Sequence, residues 1–182
     1  MGLVQDLGVV VPEQGPLARL IAATASTRGG AWVFARTLHR TDRALLAVSR
    51  DRFLLSERLG ELPTIMLTTT GARTGQPRTV PLLAIPLPAV PDGGDLAVIG
   101  SNFGRPNHPA WVHNLLADPR AIARREGRSV PVTAQEAIEA DAERIWGLAR
   151  SVYRGYDAYA ARTSGRSIRV FVLRRESTTA GA

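Results

Sequence analysis

Two apolar, β-branched runs, residues 64–69 and 78–85, stand on either side of one short glycine loop from Gly71 to Arg78. Runs of this kind read as strands. A connection this short leaves no room for a crossover helix, so the two strands are expected to run antiparallel. Pro81 lacks a backbone N–H and places the second strand at an edge or a bulge. Further strands are expected at 96–100, in a hairpin at 121–125 and 129–132 around Glu126-Gly127, and at 167–173. Few helices lie between them. Pro109 suits the first turn of one that runs to about Ala117. Thr133 and Glu136 have the spacing of a capping box for another, with Ile138, Ala142, Ile145, Trp146 and Ala149 on one side. Strands that follow one another this closely predict an α+β chain, with an antiparallel sheet or barrel instead of βαβ units.

Ahead of Leu62 the pattern is different. Residues 17–54 read as helical, with a break at Gly29-Gly30, and the second half carries Arg36, Arg40, Arg43, Arg50 and Arg52 against Asp42 and Asp51. Such a face is either solvated or a basic wall for an anionic partner, including an anionic membrane surface. Met1 to Gly15 reads as a loose end, with Pro12, Gly15 and Pro16 as breakers. The expected division is a basic helical extension over 1–61, a barrel domain over 62–177 and a tail over 178–182.

Composition narrows the chemistry. The chain has 182 residues and is 45% hydrophobic, enough for one domain with a real core. It has no cysteine, which removes disulfides, thiol nucleophiles and thiolate metal sites. The first residues lack a basic start followed by an apolar core, so a cytoplasmic location is expected, with membrane contact through the basic helices as the other option. The formal charge is +7, and all 23 basic residues are Arg. Guanidinium forks match carboxylate and phosphate geometry.

Three stretches can carry chemistry. In the first, Arg73, Thr74 and Arg78 surround Gly75 in the loop, an arrangement that can present guanidinium and backbone N–H groups to one anion. It is not a Walker A loop, because only three residues separate Gly71 from Gly75 and no Lys follows. It is not a dinucleotide fingerprint either, since no G-x-G-x-x-G is present. In the second, Ser101 to Asn107 leads into a helix start at Pro109, Ala110 and Trp111, and helix N-termini hold anionic or carbonyl oxygens. His108 and His113 are five residues apart, off a common helical face, with no carboxylate or thiol at ligand spacing, so no metal site is expected. In the third, all three tyrosines, Tyr153, Tyr156 and Tyr159, recur at three-residue spacing. They form either an amphipathic core edge or a pocket wall whose phenol donates a hydrogen bond or a proton. Ser101 lacks a nucleophile elbow, and no carboxylate pair stands out. The basic helices hold few aromatics, which ranks nucleic-acid binding last.

In this order, residues 67–78, 100–115 and 153–173 resemble the deazaflavin-dependent nitroreductases, actinobacterial oxidoreductases that use coenzyme F420. The resemblance covers about Leu62 to Leu173. It implies an FMN-binding split-barrel-like fold with flanking helices. It also implies hydride transfer from reduced F420 (an 8-hydroxy-5-deazaflavin) to an electron-poor acceptor such as a quinone, enone or nitroaromatic. A non-catalytic deazaflavin binder and an FMN-dependent reductase in the same barrel are the alternatives. By resemblance, Arg73, Thr74, Gly75 and Arg78 hold the phosphate-bearing side chain of the coenzyme. Ser101 and Asn102 border its ring, and Pro109, Ala110, Trp111 and Asn114 line the helix-start side. Tyr153 and Tyr156 match the substrate wall, so Tyr156, Tyr153 and Ser101 are the implied catalytic groups. Related barrels occur as monomers and homodimers. Relatives usually carry a basic residue at Ala72, often Lys at Asn102, and an aromatic near Leu83.

Overall fold

The computed structural model describes residues 2–11, 62–87, 94–153, 155–163 and 165–176. The helical stretch expected at 17–54 lies outside them.

Seven strands form one antiparallel sheet: β1 (Thr64–Thr70), β2 (Pro77–Leu83), β3 (Ile85–Pro86), β4 (Leu96–Ile99), β5 (Arg120–Arg125), β6 (Arg128–Glu136) and β7 (Val170–Arg175). Their spatial order is β2-β1-β5-β6-β7-β4-β3. The two outer strands of that order, β2 and β3, are consecutive in the chain and separated by Ala84 alone. Laid flat, seven strands would put their outer members about 29 Å apart, at 4.7–4.9 Å per step. Two Cα steps reach at most about 7.6 Å. The sheet therefore has to curl until its ends meet, and β2 indeed touches β4. The Ala84 N–H donates to Pro63 O at 2.8 Å and pins the junction.

Alternation along the strands divides two cores. Ile65, Leu67, Val98, Ala123, Val132, Phe171 and Leu173 fill the barrel. Ala97, Ile99 and Val170 face outward against α3 (Glu139–Val152) and α4 (Gly155–Ala160), where Ile145, Ala149, Val152 and the three tyrosines cover them. β4 is thus buried on both faces, and its sequence is wholly apolar. The hairpin between β5 and β6 turns on Glu126 and Gly127, both with positive φ (49° and 79°), as a two-residue primed turn requires.

Two expectations fail for identifiable reasons. The loose end is instead a short helix, α1 (Leu3–Leu7), whose Leu3 and Leu7, together with Val9, are buried in the barrel core. It is held by Val4 N–H to Gly94 O and by Arg125 Nη1 to Gly8 O. Hydrophobic residues at positions 3, 7 and 9 had a tertiary cavity to fill, which no local pattern announces. The capping box at Thr133 and Glu136 does not cap anything. Both residues pair with β7, β6 continues through Glu136, and α3 begins two residues after Ala137 with Ile138 at its N-cap. The Glu136 carboxylate is taken by Arg169 at 2.7 Å.

A small residue at position 155 is a packing requirement. A Cβ there would overlap the Tyr153 ring, which lies against the backbone where α4 begins. Gly155→Ala is expected to cost about 1–3 kcal/mol, the range for overpacking a filled core, read as a lower Tm in thermal unfolding followed by circular dichroism. An unchanged Tm would mean that the ring is free to swing aside.

Candidate deazaflavin site at the barrel mouth

α1 stoppers the end of the barrel where β5 finishes. The opposite end is covered by α2 (Ala110–Ala117), which packs on β1. At that second end three connections emerge: the β1–β2 loop, the β4–α2 loop and the lead-in to β7. They carry most of the residues singled out from sequence.

The β1–β2 loop is internally bonded. The Gly71 N–H donates to Gln76 O (2.9 Å), and Gly71 O accepts from the N–H groups of Thr74 (3.1 Å) and Gly75 (2.7 Å). The Gln76 N–H donates to Thr74 Oγ1 at 3.3 Å. Gly75 has φ 64°, which favours glycine, and a Cβ there would meet nothing within 4 Å. The space over the loop is therefore open. Arg73, Thr74 and Arg78 are exposed around it. Among the described residues neither guanidinium has an ion-pair partner. Arg78 lies opposite Thr69, in the row whose lower members, Val80 and Leu82, pack into the barrel. Its side chain therefore belongs to the mouth. Two guanidinium groups without an ion-pair partner among the described residues, on an internally bonded loop with room above the glycine, fit a phosphate diester.

Asn114 fastens this loop to α2. Its Oδ1 accepts from the Ala72 N–H (3.0 Å), and its Nδ2 donates to Thr69 Oγ1 (2.9 Å). Asn114 and Thr69 are buried, at 6% and 2% exposure. The side chain implied as a ligand contact is thus largely committed to holding the loop. Thr69 was missed by sequence reasoning. A polar residue in the inward-facing row of Ile65 and Leu67 was the signal that a buried hydrogen bond had to exist there.

α2 then points back to the second stretch. Asn114 stands about 6 Å along the helix axis from Ala110, at 1.5 Å per residue. Pro109 is the N-cap, one position earlier than expected, with no side-chain cap. Ala110 is exposed and Pro109 half-buried. Trp111 is turned into the barrel core at 5% exposure, edge-on to Phe171 with ring centroids 5.8 Å apart. It backs the mouth from below.

The β4–α2 loop is held in a costly conformation. Asn102, Phe103 and Gly104 have φ of 48°, 55° and 77°. Three successive left-handed residues, one of them aromatic, persist only where surrounding structure over-determines them. The Asn102 Nδ2 donates to Asn107 O at 2.8 Å. Ser101 is buried, and its hydroxyl has no hydrogen-bond partner among the described residues. Phe103 remains 40% exposed while its ring meets Tyr159 edge-on at 5.9 Å.

That contact joins the loop to the tyrosines. All three are buried in the second core, with pairwise ring centroids between 5.8 and 6.3 Å. The hydroxyls of Tyr153 and Tyr159 bond each other at 3.1 Å. The Tyr156 hydroxyl has no partner among the described residues, and its ring stacks edge-on against Trp146 at 5.5 Å. Burial raises the pKa of Tyr156, and of Tyr153 and Tyr159, above the ordinary phenol value. Each stays protonated and can act as a donor. No cluster of three or more potential metal-ligating side chains occurs among the described residues, and none of their helices is long and apolar enough to cross a membrane.

The model of the family described as F420H(2)-dependent quinone reductase matches residues 39–175. An F420H(2)-dependent quinone reductase of Mycobacterium tuberculosis is 35% identical over 119 residues, which is 64% of this chain and 76% of that protein. A solved F420-H2 dependent reductase is 34% identical with a TM-score of 0.52, covering 61% of this chain and 93% of that one. A second solved chain, described as a domain-swapped dimer, is 31% identical with a TM-score of 0.55, covering 80% of this chain and 98% of that one. The curled seven-stranded sheet is the split-barrel fold expected from sequence. This chain is an oxidoreductase belonging to the F420H(2)-dependent quinone reductase family.

Proposed function

We propose that this chain binds reduced F420 across the barrel mouth and reduces a quinone, with enones and nitroaromatics as related electron-poor acceptors. The observation that carries this reading is the line of contacts from Arg73 and Arg78, through Asn114 and α2, to the Ser101–Asn102 loop and the tyrosine wall. It offers an anion site and a flat polar edge one helix turn or more apart, as a ligand with a phosphate diester on one side and a planar ring on the other requires.

Bound reduced F420 supplies a hydride from C5 of its ring. The protein's part is to hold and orient. Arg73 and Arg78 grip the phosphate with charge-assisted bonds. The N–H groups of Ala110 and Trp111 at the start of α2, with Asn102, border the ring. Trp111 and Phe171 keep the floor dry beneath it. Hydride arriving on one quinone oxygen-bearing ring leaves a hydroquinone anion, which needs one proton. The Tyr156 phenol, kept protonated by burial and without a hydrogen-bond partner among the described residues, donates a hydrogen bond to that anion while the proton itself comes from water, and Ser101 supplies a second hydrogen bond. The solved domain-swapped relative supports a homodimeric reading of this chain.

Purified protein is titrated separately with oxidised F420, FMN and a random-sequence DNA duplex, following ligand fluorescence. Quenching by F420 in the micromolar range or tighter, followed by oxidation of reduced F420 on adding a benzoquinone, supports the reading. Binding to FMN or duplex alone overturns it, and F420 binding without turnover leaves a coenzyme carrier. Tyr156→Phe is expected to lower kcat about 10- to 150-fold, the scale of one lost hydrogen bond to a charged group, while the F420 Kd holds steady. Unchanged kcat would leave the phenol as packing only.

A further inference from the structure

We infer that Arg166 is the positioning residue of the Ser101–Asn102 edge, a half-buried guanidinium clamp whose hold depends on a neutral His108. This rests on the mouth being the coenzyme site, and it adds a residue that the sequence did not single out.

The geometry is specific. Arg166 lies in the lead-in to β7, more than fifty residues from everything it holds. Its Nη1 donates to Gly100 O (3.3 Å) and bonds His108 Nδ1 (3.1 Å). Its Nη2 donates to Ser101 O (3.0 Å) and Arg105 O (3.1 Å). One planar cation thus spans both ends of the left-handed turn at Asn102, Phe103 and Gly104. That turn has little of its own to hold it: Gly104 N–H to Ser101 O at 2.9 Å and Arg105 N–H to Asn102 O at 3.0 Å. The side chain accepts a cost to sit here, since its Nε is buried with no hydrogen-bond partner among the described residues. A lysine ammonium would keep the charge but could not reach four acceptors in one plane.

His108 completes the clamp. Arg166 can only donate, so His108 Nδ1 must be the acceptor, which places the imidazole proton on Nε2. A second proton would turn that acceptor into a donor facing a guanidinium. The charged groups around His108 are Arg166 and Arg169 from the β7 lead-in, His113 from α2, and Glu136 from β6. Burial first, then the cations, lower its pKa from 6.5, and Glu136 opposes them weakly. The folded form therefore binds fewer protons than the unfolded chain just below pH 6.5. The clamp is intact above that value and is lost as the pH falls through the depressed pKa. Sequence offered no signal for Arg166, one arginine between Gly165 and Ser167 in a chain full of them.

The test uses Arg166→Lys and His108→Asn in the full-length protein. Nitrogen-15 spectra of the coenzyme-free protein should show His108 as the Nε2–H tautomer, titrating below 6.5 in wild type and closer to it in Arg166→Lys. In turnover with reduced F420 and a benzoquinone, Arg166→Lys should lower kcat about 10- to 100-fold, the scale of a small misplacement of reacting groups. The F420 Kd should rise much less than kcat falls, because the grip of Arg73 and Arg78 on the anion shares no partner with Arg166. His108→Asn should abolish the acid limb of the kcat profile relative to its own plateau. Wild-type kcat in Arg166→Lys, or a Kd that rises in step with the kcat loss, would overturn the inference. An acid limb that survives in His108→Asn would do so as well. If Arg166→Lys does not fold, His108→Asn decides. If wild type fails to bind F420, the coenzyme reading falls, while the tautomer and titration of His108 still judge the clamp.

Discussion

Arg73→Ala and Arg78→Ala are each expected to weaken F420 binding by about 1.5–3 kcal/mol, the range for hydrogen bonds to a charged group. That is roughly a 10- to 150-fold rise in Kd at 1.4 kcal/mol per decade, measured by fluorescence quenching. The loop backbone should survive both changes, because its own bonds run among Gly71, Thr74, Gly75 and Gln76 and use neither guanidinium. Stability is therefore expected to stay near wild type while affinity falls. The double variant should lose less than the sum, since both forks address one anion and neighbouring sites couple. Unchanged affinity in both single variants would reduce the loop to a hairpin turn. Ala72 makes this test sharper here than in relatives with a basic residue at that position, because the loop has no third cation in reserve.

Asn114→Ala should act on stability and affinity together. It leaves the buried Thr69 hydroxyl with only its 3.4 Å bond to Arg78 O, removes the acceptor of the Ala72 N–H and opens a small void, for about 1–3 kcal/mol of stability by the unsatisfied-group cost. The released loop then has to be ordered on binding, so F420 affinity should fall even though no guanidinium has been removed. Denaturant unfolding and F420 titration on the same preparation check both parts. A stability loss with wild-type affinity would show that the loop orders itself. Asn114→Asp separates the roles further: its oxygen can still accept from Ala72, but the donor to Thr69 is gone.

Much of the barrel was legible because its signals are local. The glycine loop between β-branched runs, the Glu126-Gly127 turn and the Pro109 helix start each carry their own geometry. Ile168, Val170 and Val172 alternate through the last expected strand, and they pack together in the second core. What was not legible depends on distant partners. The burial of Leu3 and Leu7 needs a cavity made by six strands. The failure of Thr133 and Glu136 to cap needs β7 to claim them first. Trp111 was expected to line the helix-start side of the site, and its burial beside Phe171 depends on which way α2 rolls onto the sheet. Asn114 was expected near the ligand, and the structure shows it joining α2 to the β1–β2 loop, with its hydrogen bonds going to the chain itself. The tyrosines were expected as either core edge or wall, and they are core by burial, with one hydroxyl left uncommitted.

The junction at Ala84 has a consequence for which parts of this protein can vary. Leu82 faces the barrel interior, Leu83 and Ile85 face the tyrosine cluster, and Ala84 returns inward. Side chains alternate with period two, so one residue inserted between β2 and β3 would exchange these two sets. Ile85 would be thrust at the barrel filling, and the layer beneath Tyr153, Tyr156 and Tyr159 would lose its contact. The ring's circumference and the seating of the tyrosine wall are therefore counted out by the same four residues. Change in acceptor preference has to come through substitutions and loop lengths at the mouth, because the hoop itself cannot gain or lose a residue there and still close.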